Sequence, residues 1–122
     1  MSDLTRIVGD YLEGWNRKDA SAFAAVLAPD VRFKGPLAET EGRDPFLAAV
    51  TRMFPMVEKL ALRALFTEED RALAVYDFIC APPVGCLRTA ELIELRDGLI
   101  VSSELFFDTA PFAGAQARRS AA

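Results

Sequence analysis

A chain of 122 residues, 52% apolar and 26% charged, is long enough for one domain with its own core and too short for two. Its net charge of −4 argues against a nucleic-acid or anionic-membrane surface, and no basic run occurs apart from Arg118-Arg119. The absence of histidine excludes Ser-His-Asp and Cys-His nucleophile systems and histidine-ligated zinc or iron, so any catalysis rests on carboxylates, Tyr, Arg, Lys or Cys.

The opening MSDLTRIVGD reads as neither a signal nor a transit sequence, and no apolar stretch nears the ~18 residues of a membrane span. A cytoplasmic location is expected. Leu4, Ile7, Val8, Tyr11, Leu12 and Trp15 recur at helical spacing and predict a first helix capped by Ser2 or Asp3. The polar NRKD of 16–19 breaks it. A second helix is expected over 20–27, carrying Phe23, Val26 and Leu27 inward until Ala28-Pro29-Asp30 stops it. VRF at 31–33 reads as a short strand ending at Gly35-Pro36, and 37–43 as a loop. Asp44, with Pro45 in the first turn, opens a third helix through Phe46, Leu47, Val50 and Phe54.

Beyond Pro55 the apolar period falls to two. Strands are expected over 59–66, 73–81, 86–95 and 99–108. They are separated by the polar turn 67–71, by Pro82-Pro83-Val84-Gly85 and by Arg96-Asp97-Gly98, whose Asp-Gly pair is a strong hairpin signal. Residues 113–122 read as a flexible tail behind a single domain over 1–112. Three helices and then an antiparallel meander make an α+β domain. Twist curls such a sheet around the N-terminal helices into a cone that encloses an apolar pocket.

Cys80 and Cys86 are too few for a disulfide framework and read as reduced, buried thiols. Glu68, Glu69 and Asp70 form a turn without convergent ligand spacing, so no metal is expected. Without a Gly-rich phosphate loop or nucleotide fingerprint, no cofactor is expected either.

The chemistry-bearing candidates are acids and a tyrosine. Asp77 stands inside the apolar run VYDFIC and shares strand parity with Val75 and Ile79. In a cavity wall its pKa would rise and it would serve as general base or acid; otherwise it pairs with Arg63, Arg88 or a helix-end amide. Glu91 shares a face with Leu87, Thr89 and Ile93 and either shares a proton with Asp77, forms an ion pair, or sits exposed at a sheet edge. Tyr11 is a core tyrosine or a hydrogen-bond donor to substrate oxygen. Phe33, Met53, Leu105 and Phe107 are expected to line the pocket, together with Trp15 and Val75.

YLEGWNRKDASAFAAVLAPDVRF, EGRDPF and LIELRDGLIVSSELFFD, in this order, resemble the nuclear transport factor two-like superfamily over about residues 4–112. Its small bacterial members include the SnoaL-like polyketide cyclases, ketosteroid isomerase and limonene-epoxide hydrolase. The resemblance implies the cone-shaped fold, a homodimer joined through the convex sheet face with Phe106 and Leu92 outward, and a cavity that Asp77 faces. The oxyanion-binding tyrosine of ketosteroid isomerases falls at Tyr11 and their protonated acid at Glu91. Their proton-shuttling aspartate falls at Gly35, which argues against steroid isomerisation. One acid of the epoxide hydrolases falls at Asp77, but their arginine falls at Val75 and their second acid at Leu105. Their water-holding Tyr and Asn fall at Phe33 and Gly35.

The function expected from these residues is cofactor-independent acid–base chemistry on a small hydrophobic metabolite: isomerisation, cyclisation, elimination or hydration. Asp77, Tyr11 and Glu91 would carry it. The alternatives are a module of the same fold that binds a small molecule unchanged, or one that only dimerises. No nucleic-acid or membrane partner is expected.

Overall fold

The computed structural model describes residues 3–113; of the tail expected over 113–122, Ala113 belongs to a short helical turn and the rest lies outside the described residues. The first helix, α1 (Asp3–Arg17), buries Ile7, Val8, Tyr11, Leu12 and Trp15 along one stripe, as the spacing predicts. Asp3 in its first turn and Arg17 in its last suit the helix dipole. Gly14 is also buried, because the Phe23 ring lies 2.8 Å from where a Cβ would stand. A second helix, α2 (Ala20–Ala24), is capped by Asp19, whose side chain accepts from the Ser21 N–H. It stops three residues short of the expected end. Leu27 has been claimed by a strand: it pairs with Ile100, and the Ile100 N–H donates to the Val26 carbonyl.

That strand, β1 (Leu27–Lys34), is longer than VRF and has an irregularity between Leu27 and Arg32, where Pro29 has no N–H to give. The expected loop contains a short strand, β2 (Glu39–Glu41), paired with β1. Helix α3 (Arg43–Met53) starts from Gly42 rather than Asp44. Gly42 has φ 99°, a conformation that glycine reaches at little cost. Pro45 sits in the first turn as expected. Four longer strands follow: β3 (Val57–Glu68), β4 (Arg71–Cys80), β5 (Cys86–Arg96) and β6 (Leu99–Phe106).

The six strands form one sheet in the order β2-β1-β6-β5-β4-β3, curved but unclosed, with β2 and β3 as its edges. The expected antiparallel sheet is corrected at one seam, since β1 and β6 run parallel. Irregularities in β3 and at Glu94/Leu95 in the β5–β6 pairing bend the ladder. Asn16 pins the end of α1 to the β3 edge: its side chain accepts from the Leu60 N–H at 2.8 Å and donates to the Leu60 carbonyl at 3.0 Å. The Lys18 ammonium donates to the carbonyls of Phe54 and Val57 nearby.

The concave face of the sheet packs on the helices around Phe23, whose ring meets Tyr11 and Trp15 at 5.4 and 5.3 Å between centroids. Trp15 in turn stands edge-on to Phe78 at 4.9 Å. On the convex face the strand register aligns a row of five charged residues and one serine across the six strands: Glu41, Arg32, Ser102, Glu94, Arg71 and Glu68. Beside that row Phe66 and Leu73 are exposed to solvent, and Phe106 is exposed farther along β6.

Candidate functional site

A cavity of ≈ 190 Å³ opens between the helices and one end of the concave face. Trp15 of α1 and Phe46, Val50 and Met53 of α3 form one wall. Phe33, Phe78, Leu87, Leu105 and Phe107 form the other, and Phe112 contributes from the turn after β6. Among the described residues none of the side chains lining it is ionisable. Its two threonines add almost no polar surface. The Thr89 hydroxyl donates to the Leu87 carbonyl at 3.1 Å, and the Thr40 hydroxyl is buried with no partner among the described residues.

The cavity ends at Thr89 on β5 and Leu105 on β6. The next inward-facing residues on these strands are Glu91 and Ser103, both fully enclosed. Glu91 lies across from Leu105 in register, so it sits directly behind the cavity floor. Three hydroxyls converge on its carboxylate. Tyr11 of α1 donates to Oε2 at 2.6 Å, Ser103 donates to the same oxygen at 2.5 Å, and Tyr76 of β4 donates to Oε1 at 2.7 Å. Distances this short belong to charge-assisted O–H···O bonds. Burial pushes the Glu91 carboxyl above its usual range, and the three donors oppose but do not cancel that push. The phenols of Tyr11 and Tyr76 are driven well above theirs, first by burial and then by the adjacent carboxylate.

Of the residues singled out in the sequence, Trp15, Phe33, Met53, Leu105 and Phe107 line the cavity. Tyr11 and Glu91 meet, though behind the cavity rather than on its wall, and Glu91 is neither at an edge nor ion-paired with Arg63 or Arg88. Two expectations are corrected. Asp77 does not face the cavity: β4 turns Ala74, Tyr76 and Phe78 inward and Val75, Asp77 and Ile79 outward. On the convex face Asp77 lies 3.4 Å from the Arg63 guanidinium and 4.0 Å from that of Arg88. Val75 shares that outward face and does not line this cavity. Asp77 and Glu91 therefore stand on opposite sides of the sheet and cannot share a proton.

Tyr76 and Ser103 escaped the sequence reading. The signal was there: both are polar residues at inward positions of strands that otherwise turn apolar side chains inward. The thiols also differ from expectation, since Cys80 is buried but Cys86 is exposed; both are free. Burial pushes the Cys80 thiol up to about 11, which leaves it unreactive near neutral pH. Among the described residues no group of His, Cys, Asp or Glu side chains could hold a metal ion. Among the described residues no helix is long and apolar enough to cross a membrane.

Comparison with known proteins bears on the fold. A Kribbella flavida structure superposes with a TM-score of 0.87 at 24% identity, covering 96% of each chain. A second Kribbella flavida protein, provisionally named a ketosteroid isomerase, gives 0.78 at 22% identity over 87% of this chain and 78% of that one. A Jannaschia protein provisionally named a SnoaL-like polyketide cyclase gives 0.80 at 18% identity over 93% and 90%. At such identities the likeness is one of fold. No curated protein matches the sequence. The description of the SnoaL-like domain matches residues 8–103, most of the chain. This protein belongs to the SnoaL-like domain family.

Proposed function

We infer that this protein binds a small, neutral, largely apolar molecule in the cavity beside Trp15 and releases it unchanged. One observation carries this reading: among the described residues no ionisable side chain lines the cavity. A general base or acid must reach the proton it moves directly or through one water. The hydroxyls nearest the floor, those of Tyr11, Tyr76 and Ser103, are all turned to Glu91. Trp15 is the sole tryptophan and lies in the wall, so its emission reports occupancy. Native mass spectrometry of the purified protein should recover a bound apolar compound, and incubation should return it unaltered. Recovery of a converted product would displace this reading.

A specific observation also favours acid–base catalysis. Glu91, with its three hydroxyl donors, lies one inward-facing residue beyond the cavity floor, and two of the structural neighbours carry the names of an isomerase and a cyclase. On this second reading a shift of Leu105 or Phe46 exposes the cluster to substrate, and Tyr11 with Glu91 holds the developing oxyanion. Glu91→Gln separates the two. Catalysis at the cluster predicts a loss of turnover of about a hundredfold or more with ligand affinity retained. Simple binding predicts no turnover in either protein. Both readings take the protein to work as a homodimer in the cytoplasm without a cofactor; the exposed Phe66, Leu73 and Phe106 on the convex face support the pairing.

A further inference from the structure

Two features of the cavity limit what fits it beyond "small and apolar". The first is size. An apolar cavity of about 150 Å³ takes benzene. The ≈ 190 Å³ here leaves room for one ring and a substituent of one or two heavy atoms. A fused four-ring body is larger than this space and would have to project through its opening.

The second feature is Thr40. On β2 it stands across from Phe33 in register, so both side chains lie on the cavity side of the strand pair. Its hydroxyl is enclosed and has no partner among the described residues, and almost none of the cavity surface is polar. Thr40 thus shows carbon to the cavity and keeps its oxygen behind the wall. Burying an unpartnered hydroxyl is unfavourable, and a group so placed gains from any acceptor brought to it. A single turn about χ1 exchanges methyl for hydroxyl at the wall. The other threonine of the lining, Thr89, already donates to the Leu87 carbonyl.

We propose that the cavity selects a neutral one-ring molecule bearing one hydrogen-bond-accepting oxygen, a carbonyl or ether, which takes its bond from the Thr40 hydroxyl. The proposal rests on the binding reading above and narrows its ligand class. Among the lining residues Thr40 is then the one that discriminates oxygenated rings from hydrocarbons, while the aromatic walls set shape and size.

Cyclohexanone and methylenecyclohexane have nearly the same shape and differ in the acceptor oxygen. Both are volatile, so headspace gas chromatography over the full-length protein gives their free concentrations and hence their dissociation constants. Thr40→Val keeps the side-chain shape, and cooperative thermal unfolding at or above the wild-type temperature would certify the variant's fold. The expected result is that Thr40→Val weakens cyclohexanone about five- to tenfold and leaves methylenecyclohexane within about twofold, as for loss of one neutral hydrogen bond. Equal changes for both ligands, or for neither, would overturn the role of Thr40. A four-ring steroid ketone displacing either ring compound at comparable concentration would overturn the size limit. If the wild-type protein takes up neither ring compound, the binding reading itself fails, and this outcome is distinct from the other two.

Discussion

Glu91 is held where water cannot reach it, and its protonation is tied to folding. An ionised carboxylate so deep is penalised by several kcal/mol, and three hydroxyl donors recover much of that. The net effect is a raised pKa, so the folded protein keeps this proton to higher pH than the unfolded chain does. The stabilisation linked to that proton is full below the unfolded value of 4.5, declines as pH rises through the folded value, and is gone above it. Glu91→Gln removes the titration. Urea unfolding followed upward from pH 4 should therefore show the variant gaining on the wild type as pH rises, by about 1.4 kcal/mol for each unit that Glu91 is raised. A constant gap across that range would contradict the assignment. Tyr76→Phe withdraws one donor and should lower stability by about 1–3 kcal/mol at neutral pH, less in the Glu91→Gln background. Asp77 is the opposite case. Its partners are a half-exposed and a largely exposed arginine on the convex face, so Asp77→Asn should change stability by less than ~1 kcal/mol and leave cavity occupancy untouched.

At the scale of the element, α1 contains a paired test of what packing asks of a helix. Gly9 has nothing within 4 Å of a Cβ added to it, whereas one at Gly14 would stand 2.8 Å from the Phe23 ring. Gly9→Ala should stabilise by about 0.5–1 kcal/mol through helix propensity alone. Gly14→Ala should destabilise by about 1–3 kcal/mol despite the same propensity gain, because Phe23 is wedged among Tyr11, Trp15 and Phe54. Thermal unfolding of the two variants side by side checks both signs. Elements with one buried face were legible in the sequence: α1 announced itself by spacing, and the hairpin at Asp97-Gly98 by its turn residues. Strand β4 was harder. Both of its faces are apolar, with Leu73, Val75 and Ile79 outward and Ala74, Tyr76 and Phe78 inward, so alternation alone does not say which way is in. The hairpin register resolves it. Asp77 pairs with Arg88 and Ala74 with Glu91, so odd positions on β4 share a face with even ones on β5. Two odd-numbered acids on these strands must point apart, and placing Glu91 inside puts Asp77 outside. The boundary at Leu27 was beyond local reading, since a distant strand residue, Ile100, turns that segment from helix to strand.

At the scale of the whole molecule, the convex face combines exposed Phe66, Leu73 and Phe106 with a charged row and the Asp77–Arg63 pair. The homodimer proposed above would cover that apolar area with a second copy. Sedimentation at micromolar concentration should show a dimer, and Phe106→Glu should shift the equilibrium to monomer while leaving the cavity intact. A wild-type protein found only as monomer would end that account.

The hydrogen bonds between Asn16 and Leu60 matter to the protein's colloidal behaviour as well as to its fold. β3 is an open edge, and an open edge is a template on which strands of other chains assemble. By taking both backbone groups of Leu60, one side chain interrupts that template near the start of the strand. Asn16→Leu should therefore do more than lower the melting point. Light scattering during slow heating should detect aggregates forming below the variant's own unfolding temperature, as strands add to an edge that the native chain keeps occupied.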